Sequence, residues 1–238
     1  MEGNLKVNIK GIKGVELSEI KERKHNIWIG ISLSNKFFTK ENIKSLIQFA
    51  LENTKERVLV WIPGRMHATN YYIDRISRAD ALKRAFEDED RCKQMVQDII
   101  KELPQEETEK VVVVNYEDTC TPKHIKQKET LLREFSSRGQ FYDDVIEVVS
   151  EIIKSRGRTY SKERAEALSL YVISELPMFV DGVQVNGSPT IYTVIPYPGF
   201  GKIDNLEMAI IEGSKYPELT KKLGLSNKVG IMDIELGL

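Results

Sequence analysis

His25-Asn26-Ile27-Trp28-Ile29-Gly30-Ile31-Ser32 stays apolar from Ile27 until it ends in a hydroxyl. A strand with one wet face alternates apolar and polar residues, whereas a strand covered on both faces does not. The run therefore predicts a buried parallel strand. Residues 58–62 repeat the pattern and stop at Pro63-Gly64, and residues 111–114 supply a third apolar run. Residues 190–195 and 229–235 give a fourth and a fifth strand. Leu5, Val7 and Ile9 alternate, as an edge strand over 5–11 would.

Helical spacing fills the intervals. Thr39 can cap a helix that ends near residue 53, with Ile43, Leu46, Ile47 and Ala50 on one face. A long helix is expected over 74–103, stopped by Pro104. Further helices fall at 123–137, 141–155, 161–176 (ending before Pro177) and 206–212. Strands separated by such helices pair in parallel through right-handed crossovers. The expectation is one α/β domain, residues 1–238, with a mainly parallel five-stranded sheet sandwiched by helices. Ligands of such a sheet sit beyond the strands' carboxyl ends, where strand order reverses. Ser32, Pro63-Gly64, Asn115-Tyr116 and Tyr197 all fall just past predicted strand ends.

Bulk properties narrow the function classes. A formal net charge of −1 means that any polyanion must bind a local basic patch rather than the whole surface. Cys92 and Cys120 are the two cysteines, and no apolar leader flanked by arginine opens the chain. Both features point to the reducing cytoplasm. No apolar run is long enough for a membrane span.

Chemistry-bearing residues are weak signals one at a time. Ser32 lacks a Gly-x-Ser-x-Gly elbow and has no histidine in a recognisable dyad, and an isolated serine at a strand end is more often a turn residue. Tyr171-Val-Ile-Ser-Glu175-Leu-Pro177 places a phenol and a carboxylate one helical turn apart, able to hold an ammonium or take its proton. An exposed helix pair is the bland alternative. Arg75, Arg78, Lys83 and Arg84 cluster at one end of the long helix, which continues through Arg91. Lys154, Arg156, Arg158, Lys162 and Arg164 form a second cluster. Either suits phosphates, although on composition alone a solvated helical face is the stronger reading. Gly199-Phe-Gly-Lys202 lacks the first glycine and the hydroxyl of a phosphate loop, and Cys120-x-x-x-His124 lacks a second ligand pair. No cofactor and no metal are expected.

In combination these segments resemble the cyclodipeptide synthases, a family related in fold to the catalytic domains of class I tyrosyl- and tryptophanyl-tRNA synthetases. The strand ending at Ser32 resembles the family's hydrophobic-Gly-hydrophobic-Ser motif, and Tyr171 to Pro177 its Tyr-x-x-x-Glu-Leu-Pro motif. Asn70-Tyr71 followed by the basic segment 75–84 resembles its tRNA-binding helix. The resemblance covers roughly residues 25 to 200 and implies a Rossmann-like fold.

The resemblance also implies roles. Ser32 becomes the nucleophile that takes an aminoacyl group from a charged tRNA, Tyr171 and Glu175 hold its ammonium, and Tyr197 assists near the serine. Reaction with a second aminoacyl-tRNA gives a dipeptidyl-enzyme whose new terminus attacks the serine ester, closing a diketopiperazine. Tyr197-Pro198 matches the tyrosine-proline branch, while Asn35 is the residue of the other branch. Gly30, Ile29, Ile31, Val112, Val114, Asn35 and Pro198 are expected around the substrate. Arg75, Arg78, Lys83, Arg84, Arg91, Arg156 and Arg158 are expected on tRNA. A monomer with two aminoacyl-tRNA substrates is the expected working unit. The competing expectations are a serine hydrolase or acyltransferase that does not use tRNA, a non-catalytic tRNA-binding synthetase relative, and a plain binding module.

Overall fold

The computed structural model describes residues 5–33, 35–72 and 76–237. In chain order the elements begin with β1 (Lys6–Lys13), α1 (Leu17–Lys21), β2 (Ile27–Gly30), α2 (Lys40–Asn53) and β3 (Val58–Ile62). A 3-10 turn leads into α3 (Ala68–Tyr72), α4 (Arg78–Lys101), α5 (Gln105–Thr108) and β4 (Val111–Asn115). Then come α6 (Pro122–Ser136), α7 (Gln140–Ser155), α8 (Lys162–Asp181), β5 (Val183–Gln184), β6 (Ile191–Tyr192) and β7 (Val194–Tyr197). The chain finishes with α9 (Lys202–Glu212), α10 (Pro217–Leu223) and β8 (Gly230–Gly237).

Among the described residues six strands form the central sheet, in the order β1-β8-β7-β2-β3-β4, and β5 and β6 pair separately. Pairing is parallel from β8 to β4, and β1 lies antiparallel on β8 with an irregularity between Ile9 and Gly11. The fold is therefore a single, mostly parallel, Rossmann-like α/β domain. The alternating segment at 5–11 adds the sixth strand to the five expected from buried runs. Every residue of β2 and of β3 is buried, as their unbroken apolar sequences require.

The two sheet faces are covered differently. Ile27, Ile29, Val58, Val60 and Ile62 face α2 and the second half of α4, where Ile43, Leu46, Ile47, Val96 and Ile99 complete one core. Trp28, Leu59, Trp61, Ile195 and Ile231 face the other way, toward Met178 of α8. A third core, with Val145, Val149, Leu168, Ile173 and Leu176, holds α6 through α10 together. The chain therefore moves outward from β2 through β3 to β4, then returns across the α6–α8 helices to β7 on the other side of β2. Strand order reverses between β2 and β7, so a crevice opens beyond their carboxyl ends.

Several boundaries depart from the sequence expectation. The long helix begins at Arg78, later in the chain than expected, where the Ser77 hydroxyl accepts the Asp80 N–H at 3.1 Å. The helix expected to end before Pro177 runs on to Asp181. Pro177 forfeits one backbone bond, but Met178 and Val180 beyond it are buried, so packing carries the helix through. Gly182 ends it with φ +83°, where a Cβ would lie 2.8 Å from the Tyr192 carbonyl oxygen. The strand expected over 190–195 breaks at Thr193 into β6 and β7. Among the described residues no helix is long and apolar enough to cross a membrane.

Candidate active site

Ser32 lies two residues past the end of β2. The Ile31 N–H donates to the Trp61 carbonyl at 2.9 Å, which extends the pairing with β3 and holds the segment entering Ser32. The chain then turns: the Asn35 N–H donates to the Ser32 carbonyl at 3.0 Å, and the Asn35 side-chain oxygen accepts the Phe37 N–H at 3.0 Å. Tyr197 ends β7, the strand that flanks β2 at the switch point. Burial holds its phenol above the ordinary range, while hydrogen bonds from Asn35 and Ser32 pull the other way. Serine, tyrosine and asparagine thus form one contact group across two strand ends.

Tyr171 and Glu175 approach from α8, one turn apart on one face. Burial pushes the Glu175 carboxyl up to about 8, against a hydrogen bond from Tyr171 and the positive charge of Arg156. Burial, with Glu175 beside it, holds the Tyr171 phenol well above its usual range. Both side chains line a cavity. That cavity has a volume of about 560 Å³ and is lined by Ser32, Tyr171, Glu175 and Tyr197 together. Trp28, Trp61 and Ile195 wall it from the sheet, Leu168 and Val172 from α8, and Ile203 and Glu207 from α9.

Arg156, just past α7, keeps an exposed stem but brings its guanidinium into this cavity. There it donates to Asn70 Oδ1 at 2.6 Å. Asn70 is buried and meets His67 Nδ1 at 3.3 Å, and the His67 ring stands edge-on to Tyr171 with centroids 6.5 Å apart. Burial, then the charges of Arg156 and Arg158, push His67 down to about 4, so it is neutral at ordinary pH. His67 thus packs edge-on against Tyr171, while Ser32 contacts Tyr197.

The other expected site residues are distributed unevenly. Gly30, Ile31 and Pro198 line the cavity. Ile29 does not, because strand alternation turns it into the core on the opposite sheet face. Val112 and Val114 lie on the cavity side of the sheet but pack with Leu59, Trp61 and Tyr116, away from the cavity wall. Trp28 and Trp61 take the wall positions that the sequence reading gave to these aliphatics. Arg78, Lys83, Arg84 and Arg91 are exposed along α4, where Lys83 pairs with Glu87 at 3.9 Å and Arg91 with Asp88. Arg75 lies outside the described residues. Arg158 is half-buried beside Arg156. Asn70, part of the segment that resembles the tRNA-binding helix, is buried and accepts from Arg156. Among the described residues no group of three or more histidine, cysteine or acidic side chains is placed to hold a metal ion.

A family profile for cyclodipeptide synthases matches residues 15–199, and the chain belongs to the cyclodipeptide synthase family. A sequence comparison with curated proteins finds no match. Solved structures agree with the family. The Staphylococcus haemolyticus cyclodipeptide synthase superposes with a TM-score of 0.75 at 19% identity, covering 99% of this chain and 100% of its own. The Bacillus thermoamylovorans cyclodipeptide synthase gives 0.77 at 16% identity, covering 99% and 97%. The cyclodipeptide synthase of Candidatus Glomeribacter gigasporarum, solved bound to Phe-tRNAPhe, gives 0.55 at 13% identity, covering 89% and 87%.

Proposed function

We propose that the chain makes a cyclic dipeptide from two aminoacyl-tRNAs by ping-pong catalysis through Ser32. The observation that carries this reading is the meeting of Ser32, Tyr197, Tyr171 and Glu175 in one cavity at the sheet's switch point. An aminoacyl-tRNA ester is already activated, so the chemistry needs a nucleophile and a grip on an amine, with no phosphate loop. Ser32 Oγ attacks the ester carbonyl, the bond to the tRNA ribose oxygen breaks, and that oxygen leaves with a proton. Tyr197, in contact with Ser32, is placed to relay the proton. Backbone N–H groups following Ser32 are the candidates for stabilising the oxyanion.

Glu175 and Tyr171 hold the ammonium of the aminoacyl-enzyme. A carboxyl with an affinity for protons near pH 8 also suits the next step, in which that amine must lose a proton. The freed amine attacks the ester carbonyl of a second aminoacyl-tRNA and displaces that tRNA's ribose hydroxyl; the new amino terminus then attacks the Ser32 ester, releasing the ring and the Ser32 hydroxyl. Arg78, Lys83, Arg84 and Arg91 on α4 supply the basic face for tRNA phosphates, with Arg75 next to it in sequence and Arg158 in the second basic cluster. A relative solved bound to Phe-tRNAPhe supports aminoacyl-tRNA as the substrate. Tyr197-Pro198 favours the tyrosine-proline branch, although Asn35, the residue of the other branch, contacts Tyr197. The protein works as a cytoplasmic monomer, without metal or cofactor.

Purified protein incubated with a charged tRNA pool is expected to give a diketopiperazine by mass spectrometry. Release of free amino acids alone would identify a hydrolase, and no turnover with retained tRNA binding would identify a non-catalytic relative.

A further inference from the structure

Among the described residues, the buried carboxyls other than Glu207 have hydrogen-bond partners. Asp181 is 3% exposed and accepts the Ser226 N–H at 2.8 Å, the Asn227 N–H at 3.0 Å and the Gln127 amide at 2.7 Å, with Lys123 also paired to it. Glu89 is 4% exposed and pairs with Lys93 at 2.5 Å and Asn115 at 3.2 Å. Glu207 is 1% exposed, and neither of its carboxyl oxygens has a hydrogen-bond partner among the described residues. It stands on α9 at the wall of the active-site cavity, one turn beyond Asp204, which lines the same wall.

An unpartnered buried carboxyl has lost its hydration without regaining hydrogen bonds, so it is destabilising relative to a satisfied one. Helix packing does not require it, since a leucine would fill the position and remove the penalty. Its neighbours deepen the anomaly. Asp204 and Glu175 are the acidic groups that face it, and Lys13 is the basic one. Lys13 is otherwise engaged, donating to Asn205 at 2.9 Å and lying over the Phe200 ring at 4.4 Å. Asp204 already accepts the Gly201 N–H at 2.5 Å. The vacant acceptor capacity at this end of the cavity belongs to Glu207.

Resting on the cyclodipeptide reading, we propose that Glu207 is a specificity-determining residue that selects an aminoacyl group whose side chain ends in an N–H or O–H donor. The chemistry is a side-chain donor, neutral or cationic, meeting two open carboxyl oxygens in a site walled by Ile203, Leu168 and Val172. Sites built around a buried polar group discriminate strongly against a partner that lacks the matching group, because the site is then left unpaired. Glu175 is reserved for the amine common to every substrate, whereas Glu207 reads what differs among them.

The test is competition among aminoacyl-tRNAs with apolar, neutral-donor and cationic side chains, read as the diketopiperazine distribution by mass spectrometry. Wild-type product is expected to contain a donor-bearing residue. Glu207→Leu is expected to lower the ratio of donor-bearing to apolar product by at least about tenfold. Glu207→Gln distinguishes the donors: it keeps neutral-donor product and loses cationic product if the preferred side chain is charged. Glu207→Leu is also expected to melt at a higher temperature than wild type, since it removes an unpaired buried carboxyl. Purely apolar wild-type product, an unchanged ratio in Glu207→Leu, equal loss for all substrates, or a lowered melting temperature would each overturn the proposal. Absence of any diketopiperazine from wild type defeats the cyclodipeptide reading itself, an outcome distinct from a product of the wrong composition.

Discussion

Tyr171 and Glu175 stand one turn apart on α8 and share a hydrogen bond inside the active-site cavity. The bond favours the ionised carboxyl, yet burial outweighs both it and the Arg156 charge. The pair is therefore held in a state that an incoming ammonium would relieve.

A pH signature follows from this imbalance. Glu175 titrates at about 8 in the folded chain, against 4.5 for an unperturbed group. Between those values the unfolded chain has released a proton that the folded chain still binds, so this group's contribution to stability falls as pH rises through the window. Glu175→Gln removes that dependence. Its melting temperature relative to wild type should be higher at pH 8 than at pH 5 by at least about 2 °C, the shift expected from about 1 kcal/mol in a chain of this size. A difference that does not vary with pH would show that Glu175 is not held in this way.

Gly30 is the last residue of β2 and borders the cavity. A Cβ there would lie 3.0 Å from the Trp28 ring and 3.3 Å from Ile195 Cδ1. Gly30→Ala must displace one or both and shift the segment that carries Ser32. Because small misplacements of reacting groups are costly, cyclodipeptide formation should fall about 10- to 100-fold. A wild-type rate in steady-state assays would mean that Ser32 tolerates movement of its strand.

Arg78 and Arg84 are exposed on α4 and make no ion pair among the described residues, whereas Lys83 and Arg91 do. Charge reversal at Arg78 or Arg84 should raise KM for aminoacyl-tRNA with kcat little changed. The salt dependence should also flatten, by about one unit of log–log slope for each lost phosphate contact. An unchanged slope would remove this part of α4 from the tRNA surface.

Arg156 is expected to behave differently, because its guanidinium lies in the cavity against Asn70. Arg156→Met removes a hydrogen bond made by a charged group, a type that contributes about 1.5–3 kcal/mol. The loss should appear mainly in kcat, about ten- to a hundredfold. A pure KM effect with a flattened salt slope would return Arg156 to the tRNA-contacting set.

The parallel sheet was legible because β2, β3 and β4 are apolar runs that only a doubly covered sheet explains. Ser32, Tyr171, Glu175 and Tyr197 were legible from motif and spacing, as side chains placed just beyond strand ends or on one helical face. The cavity wall was not. Trp28 and Ile29 are adjacent and equally apolar, and only the sheet's orientation decides which one faces the site. Pro177 misled because proline ends most helices, and the burial of the residues after it is a tertiary fact. His67 and Glu207 had no sequence signal at all, and Asn70 was read only as part of a tRNA-binding motif. Each sits in unremarkable surroundings along the chain and becomes distinctive only through burial and the presence or absence of a partner.

The account depends on a covalent bond at Ser32. Intact-protein mass spectrometry of wild type, acid-quenched shortly after mixing with one aminoacyl-tRNA, tests it most directly. The prediction is a mass increase equal to one aminoacyl group, localised to the peptide containing Ser32 and missing from Ser32→Ala, which makes no cyclic dipeptide. Full cyclodipeptide synthesis by Ser32→Ala, or an adduct mapped to another residue, would contradict it.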